Sequence, residues 1–464
     1  MISDFIVDKI RSHFPFSPTL QQDEVICELG KFVSSCTLRN AFILRGYAGT
    51  GKTTVVAALV QALQEMEYKT VLLAPTGRAA KVLSSYSHHS AFTIHKKLYR
   101  CQKFGENSFS LSENLHTDTL FIVDEASMIA NDSDTSMFGS GRLLDDLINY
   151  VYSGKGCRLL LLGDSAQLPP VMQEFSPALN AEWLEGYGLT VTDYEMTYVV
   201  RQALQSGILH NATLLREKIN EDDCHRKFHF QTDGFEDIEH ISGQEMLEEL
   251  QRAYYEVGET ETVVITRSNK RANLYNRGIR NYIMYKEEEL SAGDLIMLSR
   301  NNYFWAKAYD GIDFLANGDM LEIMRVRKYH ELYDLRFVDV SLKALDYDWE
   351  IDARLILDSL QVDNSGNTQQ YTQHLFQAIE QDYPEITNRR KLVEIIKEDQ
   401  YYNALQARFA YAITCHKAQG GQWERVFIDQ GNIPEDQLDL SYYRWLYTAL
   451  TRATKKVYLV NFPH

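Results

Sequence analysis

The run NAFILRGYAGTGKTT, from Asn40 to Thr54, decides how the rest of the chain is read. Its opening residues, Asn40 to Arg45, are mostly apolar and predict a strand buried on both faces. Gly46 to Thr53 then matches G-x-x-x-x-G-K-[ST]. Lys52 to Glu65 continues as a predicted helix with Val56, Leu59, Val60 and Leu63 on one face. A glycine-rich turn between strand and helix lets successive backbone N–H groups point inward around phosphate oxygens, and the helix N-terminus adds positive potential. Gly46, Ala48, Gly49, Thr50, Gly51, Lys52, Thr53 and Thr54 therefore form the candidate cradle for ATP. In such a cradle Lys52 reaches the β- and γ-phosphates and Thr53 holds Mg²⁺. The plain alternative, a glycine-rich surface turn with an exposed lysine, has no need of strand and helix flanks.

Outward from this run the same alternation continues. Thr70 to Ala74, Leu120 to Val123 and Arg158 to Leu162 read as further buried strands. After Arg201 the pattern restarts, with strand Thr262 to Thr266, helix Lys270 to Tyr282, and strands Val426 to Asp429 and Val457 to Val460. Strands alternating with helices predict parallel sheets covered on both sides, here two α/β units in tandem. Tyr99 to Asp118 is polar, with a Gly-Glu-Asn turn at 105–107, and predicts a β-hairpin inserted in the first unit. Asp319 to Asp399 mixes strand-like runs with a charged stretch, Asn388 to Asp399, that looks helical.

Two further motifs follow predicted strands. Asp124-Glu125 closes the run Leu120 to Val123, where a carboxylate completes the Mg²⁺ shell and its neighbour orients and deprotonates an attacking water. GDSAQLPPV, from Gly163 to Val171, places Gln167 where a polar group senses the γ-phosphate, with Pro169 and Pro170 fixing the outgoing loop. Taken singly, an acidic strand end or a rigid surface turn would be ordinary.

Composition bounds the partners. With 464 residues the chain is too long for one compact domain, and 45% hydrophobic residues leave ample material for cores. The six cysteines form no C-x-x-C pair, which argues against a zinc ribbon or thioredoxin site and favours a reduced, cytoplasmic setting. The charged N-terminus cannot act as a signal-peptide core, and no apolar run approaches bilayer length, so no membrane partner is expected. The formal charge of −17 hides a strong asymmetry. Arg39 to Lys103 carries ten Lys and Arg against two acids, whereas Glu236 to Glu261 carries nine acids against one base. One face can thus be basic enough for a nucleic acid.

GYAGTGKTT (46–54), LLAPTGRAAKVL (72–83), DEASM (124–128), GDSAQLPPV (163–171), HKAQG (416–420) and YTALTRA (447–453) together resemble the ordered motifs of superfamily 1B helicases, above all the RecD-like and Dda-like DNA helicases. The UvrD/Rep-like branch is typified instead by DEFQD and GDDDQSIY. The resemblance runs from Gln22 to Arg452 and implies two RecA-like P-loop NTPase domains. These would be 1–98 with 119–200, and 201–318 with 400–464, with a β-hairpin pin at 99–118 and a small SH3-like β-barrel at 319–399. It also implies that Gln22 reads the adenine edge, and that Pro75, Thr76, Arg78, Thr93, His95, Thr414, His416 and Lys417 contact single-stranded DNA. Phe104 and Phe109 would stack at the fork, and Arg201 and Arg452 would reach the γ-phosphate from across the cleft. Gly421 departs from the family, which often has Ser there.

The expected activity is ATP- and Mg²⁺-dependent translocation on single-stranded DNA, 5′→3′ by resemblance, with unwinding of forked duplexes by a monomer in repair or recombination. Two alternatives stay open: an RNA-directed helicase of the same superfamily, since backbone contacts tolerate either sugar, and an ATP-switched binding subunit that moves on nothing.

Overall fold

The computed structural model describes residues 2–101, 109–131, 139–199, 205–221, 223–309, 312, 314–362, 367–434 and 437–462. Its strands, in chain order, begin with β1 (Asn40–Gly46), β2 (Thr70–Ala74), β3 (Ala91–Thr93), β4 (Tyr99–Cys101), β5 (Phe109–Leu111), β6 (Leu120–Val123), β7 (Arg158–Gly163) and β8 (Thr190–Met196). Among the described residues, six of these form one parallel sheet in the order β3-β2-β6-β7-β1-β8. The continuous apolar runs have a direct cause. Ile43, Leu73, Val123 and Leu161 enter the core on one face, while Leu44, Leu72, Ile122 and Leu160 enter the core on the other. Strand alternation therefore feeds two cores at once.

The second half starts with β9 (Ile238–Ile241) and β10 (Thr262–Thr266). It continues with β11 (Leu295–Leu298), β12 (Met320–Leu332), β13 (Leu335–Ala344), β14 (Glu350–Ile356) and β15 (Ala407–Phe409), then β16 (Ala412–Thr414), β17 (Trp423–Asp429) and β18 (Ala453–Val460). β16-β10-β17-β18-β9 make a second parallel sheet. The predicted helix at 270–282 is α-helical over Asn269–Gly278 and turns π-helical over Ile279–Ile283.

Between these pieces lies an antiparallel sheet in the order β14-β13-β12-β11-β15. It takes in β11 and β15, strands on either side of 319–399, so it is rooted in the second parallel unit. Its edges meet where Ile356 N–H donates to Leu405 O at 2.9 Å and Leu405 N–H donates to Arg354 O at 2.7 Å. At the root, fully buried Asp294 accepts from Arg280, Lys286 and the Tyr411 hydroxyl. A buried carboxylate persists only with such a set of donors. The helix expected near 388–399 spans Arg389–Lys397, capped by Asn388, and packs with Asn367–Gln381 over Phe337 and Ile356.

The hairpin expected after Tyr99 has its strands in place: β4 and β5 pair antiparallel, Tyr99 opposite Leu111. Its tip, with Phe104, lies outside the described residues, and of Phe109 only the backbone is described. Among the described residues no helix is long and apolar enough to cross a membrane.

Candidate nucleotide site and strand-contact surface

β1, β6 and β7 end side by side, so the loops after them converge at the carboxyl edge of the first sheet, where α/β folds place ligands. Gly49 and Gly51 adopt φ of +78° and +85°, a left-handed backbone that side chains resist. Gly51 caps the helix Lys52–Glu65 without any side-chain acceptor, so the first-turn N–H groups remain available to an anion. Lys52 Nζ folds back to donate to the Gly46 carbonyl.

These loops line a cavity of about 350 Å³ with Ala48, Gly49, Gly51, Lys52, Thr53, Asp124, Glu125 and Gln167 on one wall. The opposite wall is Gly420, Gln422, Thr451 and Arg452 from the second unit. Arg452 is 3% exposed, and its Nη1 stands 3.6 Å from Glu125 Oε1. The guanidinium is aimed by bonds to the Thr448 and Gly421 carbonyls at 3.1 and 3.3 Å. The other arginine expected from across the cleft, Arg201, lies outside the described residues.

Asp124 and Glu125, expected to hold the metal and to direct the water, sit in different surroundings. Asp124 is held by the Glu125 N–H at 2.8 Å and by the Tyr86 hydroxyl. Burial, and next the Glu125 charge, raise its proton affinity, while Lys52 nearby opposes them. Glu125 has φ of +51°, which turns its side chain out of the strand line toward Arg452. Gln167 borders the cavity and is 7% exposed, and its buried Oε1 meets no protein donor. Thr53 and Asp124 are hard oxygen donors suited to Mg²⁺, an ion that takes one or two protein oxygens and fills its shell with phosphates and water.

A second cavity of about 1090 Å³ shares Gly51 with the first and is lined by Phe14, Phe16, Leu20, Gln22, Tyr198 and Leu209. Aromatic and aliphatic walls beside a phosphate cradle suit a planar base. Gln22 is more committed than the sequence implied. Its Oε1 accepts from Thr19 N–H at 2.9 Å in a capping box, and its Nε2 donates to Thr50 O at 3.1 Å. One amide hydrogen and one lone pair remain for a base edge.

The side chains that bind the two units together are those the motifs pointed near but did not single out. The Tyr447 hydroxyl donates to Asp164 Oδ2 at 2.6 Å and accepts from Ala48 N–H, in the phosphate loop, at 3.0 Å. Thr448 Oγ1 accepts from Leu168 N–H at 2.9 Å, and Gln419 Nε2 donates to Leu168 O at 2.7 Å. Tyr447, Thr448 and Asp164 lie inside YTALTRA and GDSAQLPPV, so motif membership was the available signal.

The strand-contact residues are spread along the seam rather than gathered in one cavity. Thr76 caps the helix Gly77–Ser87, and Thr93 caps Ile94–Leu98, each accepting at 3.2 Å. Pro75 precedes the Thr76 cap, and Thr414 ends β16, both half-buried. Arg78, expected on DNA, is engaged within the protein: it stacks over Trp423 and donates to Gln422 O at 2.7 Å. His95 is pushed down to about 4 by burial, so at neutral pH it offers a neutral ring rather than a charge. His416 and Lys417 are both exposed. Partial loss of water to neighbouring protein atoms lowers His416. Lys417 donates to Asn317 at 2.5 Å, and the same desolvation, then the Arg408 charge, push it down to about 8. Gly421 has a reason of its own: a Cβ there would lie 2.5 Å from the Trp423 ring.

Two family profiles match the chain, an AAA domain over residues 32–222 and a UvrD-like helicase C-terminal domain over 409–460. The ATP-dependent RecD2 DNA helicase of Deinococcus radiodurans is 31% identical over 37% of this chain, a stretch that is 21% of that protein. The ATP-dependent DNA helicase dda of Enterobacteria phage T4 is 24% identical over 90% of this chain and 93% of its own length. Among solved structures, a Bacteroides Pif1 helicase in complex with ADP-AlF3 and single-stranded DNA covers 96% of this chain and 93% of its own. Its identity is 15% and its TM-score 0.47.

Proposed function

We propose that the chain is an ATP-dependent DNA helicase of superfamily 1B, RecD-like and Dda-like in type, which translocates 5′→3′ on single-stranded DNA and separates forked duplexes. The observation that carries the proposal is the cavity whose two walls come from two α/β units, with Lys52, Glu125 and Gln167 facing Arg452. A nucleotide seated there touches both units, so binding favours the closed cleft and product release favours the open one.

In this reading residues 1–98 and 119–200 form the first motor domain, and 201–318 with 400–464 the second. Residues 99–118 form the pin, and 319–399 an SH3-like insert. Lys52 and the loop N–H groups hold the β- and γ-phosphates. Thr53 and Asp124 hold Mg²⁺, which when bound neutralises charge on the phosphate oxygens. Glu125 orients the attacking water and takes its proton. Arg452, joined by Arg201, stabilises charge developing on the transferred phosphoryl group and makes hydrolysis depend on closure. Gln167 reports the γ-phosphate to the Leu168 loop, which Thr448 and Gln419 grip from the other unit. Alternate grip by Thr76 and Thr93 in one unit, and by Thr414, His416 and Lys417 in the other, moves the strand. The protein works as a cytoplasmic monomer.

The deciding experiment compares duplexes carrying a single 5′ or 3′ tail, in DNA and in matched RNA. Unwinding of the 5′-tailed DNA substrate alone is expected. Unwinding from a 3′ tail reverses the polarity, and preference for the RNA tail moves the enzyme to the other substrate class.

A further inference from the structure

We infer that Tyr86 is a positioning residue for the Asp124 carboxylate, and that the helix Gly77–Ser87 carries the state of the strand-contact seam to that carboxylate. The inference rests on the helicase reading above and adds a route between its two sites.

Three observations converge on this one helix. Its face made by Ala79, Val82 and Tyr86, at spacings of three and four, lines the nucleotide cavity. The Tyr86 hydroxyl at the far end of that face donates to Asp124 Oδ2, while Asp124 Oδ1 is taken by the Glu125 N–H. Both carboxylate oxygens are thus oriented, one by backbone that cannot move far and one by a side chain that can. Hydrogen bonds to a ligating carboxylate fix its rotation and its readiness to bind a cation.

The adjacent face faces the other unit and the insert. Thr76 caps the helix, and Arg78 in its first turn stacks on Trp423 at 4.2 Å and donates to Gln422 O. One turn on, Lys81 donates to Leu345 O at 2.5 Å and lies 3.8 Å from Asp346. The fit is close, since a Cβ on Gly77 would collide with the Tyr347 ring. Arg78 and Tyr86 are about 12 Å apart along the helix at ~1.5 Å per residue. A helix of this length moves as a body, so a shift that frees or engages Arg78 also displaces the phenol on Asp124. Coupling through a rigid element that both sites touch is the physical form such communication takes.

The competing role for Tyr86 is space filling, since its ring also packs against the core beneath the sheet. Tyr86→Phe keeps the ring and removes only the hydroxyl, and Tyr86→His keeps a donor in a smaller ring. Binding of a mant-labelled ADP is followed by fluorescence in EDTA and over a Mg²⁺ titration, with and without an oligothymidine. The EDTA titration gives the metal-free affinity of each protein, against which its Mg²⁺ response is read. The Mg²⁺ concentration giving half of the full effect should rise about ten- to hundred-fold in Tyr86→Phe, the usual cost of removing a hydrogen-bond partner from a ligating carboxylate. The oligothymidine should shift the wild-type titration and leave that of Tyr86→Phe where it is, and Tyr86→His should recover part of both effects. Space filling predicts instead a wild-type Tyr86→Phe and a damaged Tyr86→His, and that result overturns the inference. Oligothymidine stimulation of wild-type ATP hydrolysis is measured alongside. Its absence defeats the helicase reading itself, whereas its presence with superimposable Mg²⁺ titrations defeats only the role of Tyr86.

Discussion

The guanidinium of Arg78 lies 4.2 Å from the ring centroid of Trp423, stacking a residue of the first parallel unit on one of the second. Gly421 makes the stack possible, because a Cβ there would stand 2.5 Å from the Trp423 ring and 3.1 Å from Arg78 Cδ. A side chain that the family resemblance assigns to DNA is, in this arrangement, a clasp between the lobes.

Gly421→Ser should therefore force the Trp423 ring aside. Overpacking of this kind costs about 1–3 kcal/mol. Thermal unfolding should shift downward, and the losses from Gly421→Ser and from Trp423→Ala should be less than additive in the double variant, because the truncated ring vacates the space. Equal melting of Gly421→Ser and wild type would mean that the ring moves freely.

In the nucleotide site, Lys52→Ala should abolish ATP hydrolysis and unwinding, since the phosphates lose their main cation. Glu125→Gln should keep nucleotide affinity and slow turnover by about 10²–10⁴-fold, the usual worth of a positioned base. Single-turnover hydrolysis at near wild-type rate in Glu125→Gln would remove that residue from the chemistry.

Tyr447→Phe tests the bridge between the lobes. It leaves the Asp164 carboxylate and the Ala48 N–H each short of a partner, a penalty of about 1–3 kcal/mol for a buried group. The melting temperature should fall and the ATP concentration for half-maximal hydrolysis should rise. Unchanged values for both would show that water replaces the phenol at no cost.

Lys417 gives a pH signature. Desolvation by neighbouring protein atoms and the Arg408 charge push it down to about 8, and a DNA phosphate beside it would raise that value in the complex. Affinity for a single strand should be flat below about pH 8 and fall as the pH rises from there toward the higher value of the complex. Lys417→Ala should flatten that fall, weaken binding to all base sequences alike and reduce the salt slope by about 1. A salt-independent affinity in wild type would contradict phosphate tracking.

Replacing residues 103–109 by a short Gly-Ser turn should leave DNA-stimulated ATP hydrolysis intact and cripple unwinding. The pairs Tyr99 with Leu111 and Arg100 with Ser110 would remain to hold the base of the hairpin. Undiminished unwinding would put strand separation elsewhere.

Much of this was legible in the chain because buried parallel strands have no polar face to hide. Leu120 to Val123 and Leu159 to Leu162 are apolar on consecutive positions since neighbours in sequence enter different cores. The phosphate loop was legible because its glycines answer to local backbone geometry. Short runs such as Leu295–Leu298 and Ala407–Phe409 carry no such mark, and a strand of three or four residues does not announce its partners. The contacts of Tyr86 with Asp124 and of Arg78 with Trp423 were out of reach for a different reason. Each joins residues far apart in sequence, and a hydroxyl or guanidinium acquires its meaning only from what folding places opposite it.

The second parallel sheet closes last to first: Ile238 of β9 pairs with Val457 of β18, and β18 also lies against β17. During synthesis, β9 therefore leaves the ribosome long before the strand it needs. Until residue 460 has cleared the exit tunnel, β17 and β9 each present an unpaired edge, the kind of surface that chaperones hold and aggregates extend. Arg452 and Tyr447 are translated just ahead of β18, so the newborn first unit can already have folded its phosphate loop while it still lacks the second wall of its cleft. A nascent chain at that stage would carry its phosphate loop open to solvent, with nothing yet standing across from it.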